Sequence, residues 1–198
     1  MKKVGITGAI GSGKTTISKE FSKLGAYHLN ADNEAKEFLI RNKSIKNQII
    51  NSFGNDILNK ENNIDLFKLS KKEFSDKKNQ LTLNSIIHPK VTSFIDNLFN
   101  IMRYKYKTKL FIIDAALIFE SKLNEKLDLV IFVKSDFNTR ITRALLRGKH
   151  SKKEIIRRET LQMNEVIKEK KSDFIIKNND SLVSLNKQIN KIYNQIIF

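Results

Sequence analysis

Cysteine is absent from this chain of 198 residues, and long apolar runs are missing as well. Without cysteine the chain has no disulfide and no thiolate metal ligand, so a bound metal must be held by oxygen. This composition is typical of a reducing compartment, and we expect a cytoplasmic protein. The apolar run at 129–133 is far shorter than the roughly 20 residues that cross a bilayer. We therefore expect no membrane helix and no membrane partner.

Acidic residues are few relative to basic ones, and the formal net charge is +16 at pH 7. A positive charge of this size can indicate binding to nucleic-acid phosphates. Here, however, most basic residues are lysines that are scattered along the chain and form no single patch. We expect a small anionic substrate, which needs only a local positive field, and no nucleic-acid partner. Because the length suits one sizeable core with appendages, we expect a single domain. The sequence does not determine the oligomeric state, for which we expect a monomer.

Glycine is also scarce, yet four of the seven glycines fall within residues 5–13. Residues 8–15 read G-A-I-G-S-G-K-T and match the G-x-x-x-x-G-K-[ST] phosphate-binding loop, between a β-type run and a helical pattern. Backbone N–H groups of such a loop converge on phosphate oxygens. We predict that Lys14 binds the β- and γ-phosphates and that Thr15 ligates Mg²⁺. The predicted nucleotide-binding residues of the loop are Gly8, Ala9, Ile10, Gly11, Ser12, Gly13, Lys14, Thr15 and Thr16.

Apolar, β-rich runs recur at 4–7, 27–29, 110–113, 129–133 and 174–176, with helical patterns between them. The runs at 110 and 129 are continuous rather than alternating, which is typical of parallel strands covered on both faces by helices. Between about residues 31 and 109 no comparable strand occurs, and apolar residues repeat at helical spacing. The pattern predicts an α/β protein with a five-stranded parallel sheet, a helical insertion after the second strand and a final helix from residue 182.

Three polar residues near the ends of these segments are candidates for chemistry. Asp32 follows the second predicted strand, so it shares a sheet edge with the loop and is either a general base or a helix N-cap. Asp114 ends the third strand, where it either holds Mg²⁺ or its waters or simply ends the strand. His88 precedes Pro89, which predicts a helix break and a hinge; the role of His88 there is structural or catalytic.

Arginine is rare in this lysine-rich chain, yet five of the seven arginines lie within residues 140–158. The planar guanidinium suits bidentate contacts to phosphates. Arg140, Arg143 and Arg147 are spaced to share one helical face. That face is either a solvated basic surface or part of a mobile lid whose arginines neutralise a transferring phosphoryl group.

Taken in order, these motifs resemble those of the dephospho-coenzyme A kinase family. Residues 5–16 are similar to its G-x-T-G-G-I-G-S-G-K-[ST]-T loop, and residues 30–32 (N-A-D) to its D-A-D. Further motifs, at 86–89 and 114–120, resemble its I-I-H-P and D-x-P-L-L-F-E. Arg140 and Arg143 match its lid arginines, and residues 162–178 keep the register of its Q-x5-K-x4-D-x2-I-x-N. The series covers nearly the whole chain and is far more specific than the loop alone.

The resemblance implies a three-layer P-loop NTPase fold and transfer of the γ-phosphoryl group of ATP, with Mg²⁺, to the ribose 3′-hydroxyl of dephospho-coenzyme A. It implies that Asp32 is the general base, that Lys14 and Arg140 are also catalytic and that Arg143 binds the nucleotide. His88 and Asp114 are expected to contact substrate. In this interpretation residues 1–30, 108–135 and 170–198 form the nucleotide-binding core, 31–107 the acceptor-binding insertion and 136–169 the lid.

The sequence departs from the family pattern at a few positions. Asn30 replaces the first aspartate of D-A-D, and Leu66 stands where family members usually carry arginine. These changes affect the expected acceptor affinity more than the expected fold.

The alternative to dephospho-coenzyme A kinase activity is that of another small-molecule P-loop kinase, for a nucleoside or a nucleoside monophosphate, with the same loop, lid and sheet. A GTP-dependent switch is disfavoured because the chain has no N-K-x-D element. A nucleic-acid-binding NTPase is a further alternative that binding to oligonucleotides would test.

Overall fold

A computed structural model describes residues 1–148 and 150–198 of the chain. The chain divides into two compact units. The first contains Met1–Asn30 and Leu98–Phe198, and the second contains Ala31–Asn97.

The first unit is built on a five-stranded sheet in the order β2-β3-β1-β4-β5, and every neighbouring pair of strands is parallel. The strands are Lys2–Thr7 (β1), Tyr27–Asn30 (β2), Leu110–Asp114 (β3), Leu129–Lys134 (β4) and Phe174–Lys177 (β5). Each coincides with one of the five apolar runs of the sequence, so the predicted parallel sheet is confirmed. Because all strands point the same way, their carboxyl ends meet at one edge.

The helices are α1 to α9 in chain order. Their bounds are Lys14–Lys23 (α1), Ala31–Arg41 (α2), Lys43–Phe53 (α3), Leu66–Glu73 (α4), Lys77–Lys105 (α5), Phe137–Leu146 (α6), Lys152–Thr160 (α7), Glu165–Lys170 (α8) and Leu182–Ile197 (α9). The helix predicted after the phosphate-binding loop and the final helix predicted from residue 182 are both confirmed. Within the described residues, no helix has the length and apolar character needed to cross a membrane.

Apolar side chains cover both faces of the sheet in the first unit. On one face α1 and α9 pack together, with the rings of Phe21 and Tyr193 6.4 Å apart and the Tyr193 hydroxyl donating to Leu24 O at 2.6 Å. On the other face the rings of Phe99 and Phe111 pack edge to face, with their centroids 5.6 Å apart. Burial on both faces explains why β3 and β4 read as continuous apolar runs.

The second unit, by itself, is helical. Two of its helices begin with a side-chain cap: Asn42 accepts from Ile45 N before α3, and Asp65 accepts from Phe67 N before α4. Its buried residues include Ile45, Ile49, Phe53, Ile57 and Leu69. Among the described residues of this unit, the only β pairing is an isolated bridge between Leu58 and Ile64. The prediction of a helical insertion after the second strand is consistent with this content.

The helix break predicted at Pro89 is wrong. Residues Lys77–Lys105 form one helix, with Pro89 inside it. A proline in a helix interior removes one backbone N–H and its hydrogen bond. On either side of Pro89, Ile87, Val91 and Ile95 are buried. Their packing at helical spacing outweighs the local preference of proline, so the helix continues through Pro89.

Candidate active site

The residues of the candidate site lie at the carboxyl edge of the sheet in the first unit. The phosphate-binding loop connects β1, the central strand, to α1. Gly11 and Gly13 have φ angles of +79° and +97°, a region that glycine adopts readily and other residues avoid. At Gly11 a Cβ atom would also collide with the backbone carbonyl of Arg140. The spacing of the glycines in the motif therefore follows from the backbone path of the loop.

Lys14 is the first residue of α1, and its side chain lies over the loop. Its Nζ donates a hydrogen bond to Gly8 O at 3.0 Å. The side chain is half-buried, and the ammonium group stays close to the main chain whose N–H groups would surround a phosphate. This is the place expected for a cation that binds the outer phosphates of a nucleotide.

Thr15 and Asp114 meet at the edge of the sheet. The Thr15 hydroxyl donates to Asp114 Oδ2 at 2.6 Å, and Asn30 Nδ2 donates to the same oxygen at 3.1 Å. Asn30 and Asp114 are also register partners of β2 and β3. The alternative in which Asp114 merely ends a strand leaves its bond to the phosphate-binding loop unexplained. A hydroxyl and a carboxylate side by side form an oxygen donor set that fits Mg²⁺.

His28 lies on β2 next to this pair. Its Nε2 is 3.9 Å from Asp114 Oδ2 and is buried with no hydrogen-bond partner among the described residues. Burial lowers the pKa of His28, and the attraction of Asp114 opposes this only in part. His28 is therefore mainly neutral near pH 7.

Asp32 and His88 both belong to the second unit. Asp32 is the second residue of α2, which begins at Ala31, and its side chain is exposed. Asp32 thus lies in the first turn of α2, where an acidic side chain is favourable. His88 lies in the middle of α5 and is half-buried. The roles of both residues in substrate binding and catalysis stay predictions.

Arg140 does not lie on a solvent-facing surface, so the alternative of a solvated basic face is wrong for this residue. Its side chain is only 2% exposed, and its Nη2 contacts Glu159 Oε1 at 2.6 Å and Glu165 Oε2 at 3.0 Å. Its Nε donates to Ser135 O at 3.0 Å. Burial raises the pKa of Glu165, and the Arg140 guanidinium opposes that rise. Arg140 thus joins α6 to α7 and α8 through an ion pair.

Arg143 lies one turn further along α6 and is half-buried. Its Nη1 donates to Asn178 O at 2.8 Å, while the side chain of Asn178 donates to Ser12 O at 2.7 Å. Arg143 is therefore connected to the phosphate-binding loop through one residue. Arg147 is exposed at the C-terminus of the same helix.

Lys168 is the lysine of the Q-x5-K-x4-D-x2-I-x-N motif, and the sequence predicted no role for it. The side chain is 2% exposed, and its Nζ contacts Glu120 Oε1 at 2.8 Å and Ala116 O at 2.9 Å. Thr7 Oγ1 donates to the same carbonyl at 3.2 Å. Residue type alone does not separate this buried lysine from the solvated lysines of the chain, and its place in the register of the motif was the signal that could have found it.

A cavity of about 590 Å³ opens beside Ala9 of the loop. It is lined by apolar Phe137 and Ile156 and by polar residues that include Glu159, Glu165 and Lys168. This volume is in the range of small-molecule sites. The Arg140 ion pair forms part of its wall, since both carboxylates line the cavity.

We expect Arg140→Ala to lower both stability and turnover. The change leaves Glu159 and Glu165 without their cation, and we expect the free energy of unfolding to fall by about 2 kcal/mol. This is less than the ~3–5 kcal/mol expected for breaking a fully buried ion pair, because both carboxylates keep contact with water. We also expect kcat to fall by about 10²-fold. Denaturant unfolding and steady-state kinetics measure the two effects. Arg140→Lys keeps the charge but not the planar fork, so it should recover part of the stability. An unchanged free energy of unfolding in Arg140→Ala would show that the ion pairs of Arg140 with Glu159 and Glu165 do not stabilise the fold.

The fold and the site together define a P-loop nucleotide-binding protein. A glycine-rich loop joins the central strand of a parallel sheet to a helix, and that helix begins with a lysine and a threonine.

The model of the dephospho-CoA kinase family matches residues 2–184. The chain is 37% identical over 190 residues to the dephospho-CoA kinase of Fusobacterium nucleatum, with 95% of each chain covered. It is 33% identical over 196 residues to that of Aquifex aeolicus, with 99% of this chain and 98% of the relative covered.

Among solved structures, the dephospho-CoA kinase from Campylobacter jejuni is similar to this chain with a TM-score of 0.69 and 28% identity. The match covers 98% of this chain and 96% of the other. The chain belongs to the dephospho-CoA kinase family, which catalyses the final step of coenzyme A biosynthesis. The family uses ATP as the phosphate donor. The predicted family, fold class and enzyme class are confirmed.

Proposed function

We propose that this protein transfers the γ-phosphoryl group of ATP to the ribose 3′-hydroxyl of dephospho-coenzyme A. The observation that carries the proposal is the phosphate-binding loop at the carboxyl edge of the sheet, with Lys14 over it and Thr15 bonded to Asp114, in a chain of this family. The products are ADP and coenzyme A: a bond forms between the acceptor oxygen and the γ-phosphorus, and the bond from that phosphorus to the β,γ-bridging oxygen breaks.

The loop binds and orients the triphosphate. Its N–H groups and the Lys14 ammonium counter the negative charge of the phosphates, and this charge is spread over the oxygens of a loose transition state. Little covalent chemistry is required of the protein, so positioning and charge stabilisation make up most of the catalysis. We assign Asp32 the role of the base that orients the acceptor hydroxyl and accepts its proton.

Mg²⁺ fits the oxygen ligands at Thr15 and Asp114, with Thr15 as a direct ligand and Asp114 as a ligand of the ion or of its waters. When bound, Mg²⁺ would neutralise part of the phosphate charge. In the described part of the chain no group of three or more His, Asp or Glu side chains is arranged to hold a metal ion. The proposed ion therefore depends on phosphate oxygens and waters for its other ligands.

The remaining parts of the chain are assigned as follows. We propose that residues 31–107, with His88, bind the acceptor, and that residues 136–169 form a lid. Arg143 reaches the nucleotide, while Arg140 acts through the carboxylates that it holds in place. The ion pairs of Arg140 with Glu159 and Glu165 support a positioning role for it.

A coupled assay of ADP release tests the proposal. Purified protein with ATP and Mg²⁺ should turn over with dephospho-coenzyme A and should show at most trace activity with adenosine or AMP. Preference for adenosine or AMP would instead identify a nucleoside or nucleoside-monophosphate kinase. Absence of ADP release with every acceptor, in protein that is folded by circular dichroism, would contradict the proposal.

The assignment of Thr15 to the metal predicts a specific loss in Thr15→Ala. We expect kcat to fall by about 10²-fold and the Mg²⁺ concentration that gives half-maximal ATP binding to rise, because one oxygen ligand is removed. Thr15→Ser keeps the hydroxyl and should stay close to wild type. A calorimetric titration of Mg²⁺ in the presence of ATP measures the second effect independently of turnover. Equal Mg²⁺ dependence in the Ala and Ser variants would remove Thr15 from the metal site.

A further inference from the structure

Asn178 connects the last strand of the sheet to the phosphate-binding loop. It follows β5 directly, and its N–H donates to Lys134 O at 2.8 Å, which continues the pairing of β4 and β5 by one residue. The residue is 7% exposed. Its side-chain amide donates to Ser12 O at 2.7 Å, a buried bond between residues 166 positions apart in the chain.

The amide of Asn178 is packed against the loop as well as bonded to it. A Cβ atom at Gly13 would collide with Asn178 Nδ2. Gly13 therefore has two reasons to be glycine: its φ of +97° and the closeness of this amide. The neighbouring Ser12 hydroxyl is buried and has no hydrogen-bond partner among the described residues, so it does not hold the loop. The main-chain bonds of Ser12 hold it: its N–H to Ala9 O at 3.2 Å, and its C=O to Asn178.

The bond to Ser12 O also sets the direction of the next N–H group. The peptide bond between Ser12 and Gly13 is trans, so its N–H points to the side opposite its C=O. With the carbonyl held by Asn178, the Gly13 N–H points away from Asn178. Gly13 is the N-cap residue of α1, so its N–H is one of the N–H groups at the helix start that have no partner within the helix.

The main chain of Asn178 connects the same point to α6. Its carbonyl accepts from Arg143 Nη1 at 2.8 Å and from the Ser135 hydroxyl at 3.1 Å. The carbonyl does not depend on the identity of the side chain. A substitution of Asn178 can therefore remove the contact to the loop and leave the contacts to Arg143 and Ser135 in place.

We propose that Asn178 is a positioning residue for phosphate binding: its side-chain amide holds the Ser12 carbonyl so that the Gly13 N–H is directed at the nucleotide phosphates. The inference rests on the proposed use of the loop for ATP. In Asn178→Asp the donor is lost and a carboxylate is placed against the Ser12 carbonyl, which turns the peptide or leaves the carbonyl unpaired. We expect the Kd of ATP with Mg²⁺ to rise by about 10- to 100-fold.

The next residue offers a control that is matched in charge. Asn179 Oδ1 accepts from Asp136 N at 2.8 Å and lies 3.0 Å from the Ser135 hydroxyl, whose single proton is shared with Asn178 O. An aspartate oxygen can accept in the same way. Asn179→Asp therefore adds the same charge one residue away and keeps the acceptor. Its Kd for ATP should stay within about threefold of wild type.

Two measurements on wild type and both variants test this inference. Calorimetry gives the Kd of ATP with Mg²⁺, and amide hydrogen exchange of residues 9–17 without nucleotide reports on the order of the loop. We expect weaker ATP binding and faster exchange of the loop only in Asn178→Asp, with an unchanged KM for dephospho-coenzyme A. If Asn178→Asp does not fold, Asn178→Ser removes the contact without a charge, and we expect about a tenfold rise in Kd. If wild-type protein fails to bind ATP, the proposed function is contradicted. Wild type that binds, with a position 178 variant that binds equally well, would overturn this inference alone.

Discussion

Lys14→Ala should reduce kcat by about 10³-fold or more and leave the fold intact. In a loose phosphoryl transfer the protein contributes mainly fixed positive charge, and Lys14 is the cation that lies over the phosphate-binding loop, 3.0 Å from Gly8 O. Its side chain is half-buried at the start of α1, where alanine is compatible with the helix. The lost activity should therefore not come from unfolding.

A lysine near the end of the same helix provides the control for this variant. Lys23 is exposed and pairs with Glu20 at 2.7 Å, so Lys23→Ala removes the same charge from α1 at a distance from the loop. Steady-state kinetics should show near wild-type kcat for Lys23→Ala, and thermal unfolding should show similar Tm values for both variants. If Lys14→Ala kept more than about a tenth of the wild-type kcat, the loop would not be the site of phosphoryl transfer.

Asp32→Asn should lower kcat by about 10²–10⁴-fold, with a smaller change in the KM of ATP. The substitution is nearly isosteric and removes the ability to accept the proton of the acceptor hydroxyl. The side chain is exposed in the first turn of α2, so the change should have little effect on packing. A fall in kcat without a fall in stability is the pattern expected for a base.

Glu34→Gln is the matched control, since Glu34 is the other acidic residue in the first turn of α2. Both variants remove one negative charge from the same helix end, where acidic side chains stabilise the helix to a similar small extent. Saturating kinetics with ATP and dephospho-coenzyme A should separate them, with near wild-type kcat for Glu34→Gln. Equal kcat values in the two variants would show that Asp32 is not the base.

Much of the first unit could be predicted because its signals are local. β3 and β4 are continuous apolar runs because a strand buried on both faces requires apolar residues at nearly every position, and shorter apolar runs mark the other three strands. The loop could be predicted because its backbone path requires glycine at given spacings, as the φ angles of Gly11 and Gly13 show. The closeness of Thr15 and Asp114 could also be predicted. Asp114 ends β3, Thr15 follows the loop after β1, and the carboxyl ends of parallel strands lie at one edge of the sheet.

Predictions were wrong where packing opposed a local preference. Pro89 favours a helix break in any short window, but the buried residues around it keep α5 continuous. Arg140 has the spacing of an exposed helical face, yet it is buried because Glu159 and Glu165, on later helices, supply the countercharges. Neither outcome can be deduced from the residues within one turn of the position concerned.

By itself, the sequence determined the parallel sheet, the phosphate-binding loop and the family, because hydrophobic periodicity and motif spacing are properties of neighbouring residues. Only the tertiary structure decided which polar groups meet: Asn178 with Ser12, Lys168 with Glu120, and Asn30 with Asp114. The partners in these pairs are separated by between about 50 and 170 positions, and a hydrogen bond requires atoms within about 3 Å. Such contacts exist only after the chain has folded, and the residues next to one partner in the sequence do not identify the other partner.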